Sequence, residues 1–174
     1  MASVFFSDEQ DAEPVDAQAL AALARAVLDE ESVPPDVEVA IILVDVAAMT
    51  ELNGRFMGHE GPTDVLSFPI DELGVEPGRW PDGASSGPAR RSVPDDEVPF
   101  VLGDIVLCPS VARAQAERHS LPLEAELSML TVHGLLHLLG MDHANPADAA
   151  VMFEAQHAHL TRLGIPSPGP AAWM

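Results

Sequence analysis

The sequence predicts an α+β layered domain, and three observations carry that expectation. Segments with helical periodicity and segments of strand length are mixed along the chain without a regular strand–helix–strand alternation. The strand-length runs are β-branched and apolar, while the helical ones carry capping residues at their boundaries. The chain has 174 residues, 47% of them hydrophobic, enough to build one compact core, so residues 1–174 are expected to form a single domain.

Taken in order, residues 16–31 (DAQALAALARAVLDEE) have helical periodicity, with Asp16 at the start and Pro34–Pro35 stopping the chain afterwards. VEVAIILV (37–44) is an apolar run of strand length. DVAAMTELN (45–53) suits a short helix capped by Asp45. DVLSFPI (64–70) reads as a second strand, entered through the turn GPT. Residues 71–97 are rich in Pro and Gly and acidic, the composition of a mobile surface excursion joining neighbouring strands. FVLGDIVLC (100–108) is a third strand. SVARAQAERH (110–119) is helical with Ser110 as its expected cap. LPLEAELSMLTVHGLLHLLG (121–140) is a longer helix, with Ser120 as cap and Pro122 in the first turn. NPADAAVMFEAQHAHLTRLG (145–164) opens with Asn145 as cap, Pro146 and Asp148, and closes at Gly164. The sequence contains no internal repeat.

Composition narrows the function classes. The formal net charge is −20, with eight arginines, no lysine and 28 acids. Residues 1–31 contribute −7 and residues 71–97 contribute −4, so more than half the excess falls in segments expected at the periphery. This is not the basic footprint of a protein that grips nucleic acid by its phosphates, and no DNA partner is expected. No run of 18 apolar residues occurs, and the N-terminal MASVFFSDEQDAEP lacks a basic n-region, so neither a membrane span nor a signal peptide is expected. Cys108 is the single cysteine, which fits a reducing cytoplasm.

The chemistry concentrates in residues 133–143, HGLLHLLGMDH, which hold three of the seven histidines. On a helix, His133 and His137 differ by about 40° around the axis and roughly 6 Å along it, so their rings can converge. His143 can join them only if the chain turns back, and Gly140 stands where a left-handed residue would end the helix. Burying three imidazoles among leucines without a common partner would leave polar groups unsatisfied. His133, His137 and His143 are therefore expected to hold one metal ion, with zinc first choice and nickel, cobalt or copper also suited to imidazole ligands. Three neutral ligands leave an open position and an uncancelled positive charge, which favours an anionic substrate. Asp142 either orients a ligand ring or holds the turn.

Metzincin peptidases share this spacing, HExxHxxGxxH, but place a glutamate where this chain has Gly134. A metallopeptidase is accordingly the less favoured reading. HGLLHLLGMDH resembles instead the HGxLHLxGYDH motif of the YbeY family of bacterial endoribonucleases. Leu52–Asn53, PTDVLSFP (62–69) and LGDIVLCP (102–109) are similar to that family's other signature blocks, in the same order, so the resemblance spans residues 37–143. It implies a small mixed four-stranded sheet packed with about five helices, one zinc on His133, His137 and His143, and cleavage of single-stranded RNA. It further implies work on the 3′ end of small-subunit ribosomal RNA and in ribosome quality control, with pre-ribosomal particles or ribosomal proteins as partners.

One departure matters. Many family members have an arginine six residues before the threonine of PTDVLSF; here that position is Met57. Arg55, two residues earlier, either substitutes in catalysis or is an ordinary surface arginine. Thr63 and Asp64 are expected to close the turn into the strand, and Ser67 to pack on a strand face. Asp104 is expected to make a buried hydrogen bond near the metal helix. His119 sits at a helix end, and His157 and His159 are expected to face solvent. Met129, Leu130, Leu136, Leu139, Met152 and Phe153 are expected in the core. A non-catalytic assembly factor, in which zinc only stabilises the fold, is the rival from a different class.

Overall fold

A computed structural model describes residues 2–70 and 100–169. The 71–97 segment expected as an excursion lies outside the described residues. Among these, four strands form one mixed sheet with five helices: β1 (Ser3–Asp8), α1 (Ala17–Glu30), β2 (Val37–Leu43), α2 (Val46–Leu52), β3 (Val65–Pro69), β4 (Phe100–Leu107), α3 (Pro109–His119), α4 (Leu123–Leu138) and α5 (Pro146–Arg162). A π-helical turn, Asn53–Met57, extends α2. The sheet order is β1-β2-β4-β3, with β1, β2 and β4 parallel and β3 antiparallel to β4. The strands read from sequence are therefore neighbours, and residues 71–99 join two adjacent ones. The fourth strand, β1, was not among the expected elements.

Local chemistry explains most boundaries. Asp16, Asp45 and Asn145 each accept a hydrogen bond from a first-turn amide, of Ala19, Ala48 and Asp148 respectively. Two expected caps are corrected. Cys108, not Ser110, is the N-cap of α3, because Pro109 occupies the first helical position where no donor is lost. Ser120 adopts a left-handed conformation that ends α3, leaving Pro122 as the N-cap of α4 rather than a first-turn residue.

The two faces of α4 are hard to tell apart: Leu123, Leu127, Met129, Val132, Leu135, Leu136 and Leu138 are all buried. A helix apolar all round must lie inside, and α4 packs against α1, α3, α5 and the sheet. It approaches β3 and β4 very closely. A Cβ on Gly134 would come within 3.0 Å of Ile105 and 3.2 Å of the Ser67 hydroxyl. Gly103 lies beside a register shift in the β2–β4 pairing at φ +155°, where a Cβ would sit 2.5 Å from the Phe68 carbonyl oxygen. Glycine at both points lets α4 lie on the sheet.

Expected core residues Met129, Leu130, Leu136, Met152 and Phe153 are buried, and Leu139 is half-buried. His159 is not solvent-facing. It is 5% exposed, with its Nε2 2.6 Å from Glu31 at the end of α1, and Arg162 pairs with Glu30 beside it. The reason is helical phase: Met152, Gln156, His159 and Leu160 share the inner face of α5.

Candidate metal centre

The site begins at the end of α4. His133 and His137 project from successive turns, and their Nε2 atoms are 3.1 Å apart. The helix then stops. The Met141 amide donates to the Leu136 carbonyl and the Gly140 amide to the His137 carbonyl, both 3.0 Å, while Gly140 adopts φ +96°. This pair of bonds is the Schellman ending that a glycine permits, and it satisfies carbonyls the helix leaves open. The reversed chain brings back His143, whose ring centroid lies 5.3 Å from that of His133 and 5.1 Å from that of His137. Asp142 steadies the turn by accepting the His143 amide at 2.8 Å.

One nitrogen from each ring lies within 4.8 Å of the others, so the three histidines could hold a metal ion. The electrostatics favour the neutral imidazoles a metal requires. Burial, then the neighbouring His137, drives His133 down to about 4 from the ordinary 6.5, against the opposing hydrogen bond from Gln156. Burial and then His143 lower His137 as well. Two ring nitrogens facing each other at 3.1 Å in a half-buried site, both resisting protonation, are a donor set that could bind a divalent cation.

A cleft of about 660 Å³ opens above the three rings, with β3 along one side and the π-helical turn at its rim. Thr63 and Asp64 line it, but Asp64 is committed to the turn: its Oδ1 accepts from the Val65 amide at 2.7 Å and from the Thr63 hydroxyl at 3.2 Å. Ser67 donates to the Gly134 carbonyl at 3.3 Å, tying β3 to the metal helix. Met57 and His59 line the cleft as well. Arg55 does not; it is exposed, and its guanidinium lies 5.2 Å from the Phe56 ring centroid. Asp104 does not face α4. Its neighbours Gly103 and Ile105 face α4, so alternation turns Asp104 to the other side of the sheet, where burial raises its carboxyl. His119 pairs with the buried Glu126 at 3.0 Å, outside the cleft lined by the three rings, and the pair lines a neighbouring pocket together with His133.

The sequence did not single out Gln156, which is buried on α5 with its Oε1 2.8 Å from His133 Nδ1. It lies 23 residues from that histidine, and only its place on the inner face of α5 could have pointed to it.

The family model described as Endoribonuclease YbeY matches residues 5–164. A protein named Endoribonuclease YbeY from Beutenbergia cavernae is 51% identical over 146 residues, covering 84% of this chain and 87% of that one. Another of the same name from Frankia casuarinae is 47% identical over 154 residues, covering 88% and 71%. Among solved structures, the solution structure of a Thermotoga maritima protein is 26% identical with a TM-score of 0.54, covering 92% of this chain and 88% of that one.

Proposed function

Since the chain belongs to the Endoribonuclease YbeY family, we propose that it is a metal-dependent endoribonuclease that cuts single-stranded RNA at the His133–His137–His143 centre. The observation carrying this reading is the convergence of three imidazoles at the floor of an open cleft. Gly134 supports it against the peptidase alternative: the position lacks the glutamate of those enzymes, and a Cβ there would crowd Ile105 at 3.0 Å and the Ser67 hydroxyl at 3.2 Å.

The three histidines would hold zinc, the ion best matched to a set of imidazoles with one position open. When bound, it supplies a Lewis acid and positive charge for the phosphoryl oxygens of the scissile phosphodiester. The chain's own residues do the rest. Gly140 and Asp142 set the position of His143, while Asp64 and Thr63 shape the cleft wall at the entrance to β3. The cleft carboxylates, Asp64 and Asp142, each accept a backbone amide through Oδ1 and so hold the turns they close; with glycine at position 134, where the peptidases carry their glutamate base, intrinsic turnover is expected to be modest.

The resemblance extends the proposal to the natural substrate: the 3′ end of small-subunit ribosomal RNA, met on pre-ribosomal particles in the cytoplasm, with residues 1–174 acting as one domain. A second reading, a zinc-stabilised assembly factor without cleavage, draws support from Met57, which lines the cleft at the position of the family arginine. Arg55 is the candidate substitute, and its Phe56 contact leaves it outside the cleft lining. One assay separates the readings. Zinc-loaded protein is incubated with precursor RNA, with and without ribosomal particles, beside His137→Ala. The nuclease reading expects cleavage by the wild-type chain, and loss of both metal and cleavage (at least 100-fold) in the variant. Cleavage by metal-free protein contradicts the metal mechanism, and no cleavage under any condition leaves the assembly factor.

A further inference from the structure

We propose that Gln156 is a positioning residue for the metal centre, whose neutral amide fixes the ligand form of His133 without adding negative charge. The inference rests on the metal reading above and concerns a helix that supplies no ligand. Gln156 is 2% exposed and its Oε1 lies 2.8 Å from His133 Nδ1. An N–H···O bond at that distance places the hydrogen on Nδ1 and leaves Nε2 as a lone pair. Nε2 is the atom that faces His137 at 3.1 Å. One turn earlier on α5, Phe153 lies nearly parallel to two of the three rings: 17° from His133 at 6.0 Å and 22° from His143 at 5.6 Å. Helix α5 thus sets the tautomer of one ring and the plane of two.

The identity of the residue has a consequence. Histidine ligands commonly donate their second N–H to a carboxylate, which raises the basicity of the ring and offsets part of the ion's charge. An amide gives the same orientation and no offset. In a chain of net charge −20, no arginine among the described residues lines the cleft; a cation held at this centre would offer its positive charge to a phosphodiester, and Gln156 would leave that charge undiminished.

The test is zinc binding by chelator competition, without RNA, on wild type, Gln156→Leu and Gln156→Glu, each checked for folding by circular dichroism. The leucine variant should bind zinc about 10–100-fold more weakly and the glutamate variant more tightly than wild type. A merely structural role would not move the two in opposite directions. Leucine-variant affinity equal to wild type, or both variants weaker, overturns the proposal. If a variant does not fold, nitrogen NMR of wild type decides: His133 should carry its hydrogen on Nδ1 with zinc bound, and hydrogen on Nε2 refutes the assignment. Wild type that binds no zinc defeats the underlying metal reading instead, so the two failures are distinct.

Discussion

At the scale of single residues, His133 couples the site to the stability of the fold. Its folded-state value, about 4, lies below the ordinary 6.5, so between those limits the unfolded chain holds more protons than the folded one. Stability of metal-free protein is therefore fully present above about pH 6.5 and falls as the pH drops toward 4, by roughly 3 kcal/mol from this residue. The lowered His137 acts in the same direction. Chemical denaturation of the apo-protein between pH 7 and 4 should show this loss, and His133→Phe should flatten it; an unchanged slope in that variant would contradict the assignment. The convergence of His133, His137 and His143 was legible because their relation is local: four residues on one helix and a glycine-made turn. Gln156 was not, because its relation to His133 exists only once α4 and α5 pack. Asp104 misled for a related reason. Its neighbourhood in sequence is the metal side of the sheet, but strand alternation puts its own side chain on the opposite face.

At the scale of elements, the end of α4 decides whether the third imidazole reaches the other two. Gly140 at φ +96° is strained for any residue with a Cβ, at about 1–2 kcal/mol for alanine. Gly140→Ala should thus lower Tm by roughly 2–8 °C and weaken metal binding by displacing His143. Unaltered Tm and affinity would show that the turn does not depend on the left-handed residue. Capping chemistry made Asp16, Asp45 and Asn145 readable in advance, since each satisfies an amide three residues on. Strand β1 was not readable: only three of its six residues, Val4, Phe5 and Phe6, are apolar, and its pairing with β2 is decided across the sheet rather than within the segment. The inward turn of His159 carried a sequence signal, the shared phase with Met152 and Gln156, that outweighed its polarity.

At the scale of the molecule, an RNA-cutting site sits in an acidic chain. Net charge is −20, and no arginine lines the cleft among the described residues. Repulsion from the phosphate backbone should keep affinity for bare single-stranded RNA weaker than about 10 μM at physiological salt, with a shallow salt dependence equivalent to roughly one or two released counterions. Fluorescence anisotropy across a salt series checks this; tight, steeply salt-sensitive binding would show a cationic surface acting on RNA. The mixed sheet, the buried α4 and its glycine contacts with β3 and β4 all serve to hold three rings at one point under an open cleft. The most direct measurement is X-ray absorption at the zinc edge of the loaded protein, beside His143→Ala. One ion per chain with three imidazole nitrogens at about 2.0–2.1 Å plus an oxygen ligand is expected, falling to two imidazoles in the variant. A wild-type spectrum without three histidines, or one unchanged by losing His143, would contradict the centre.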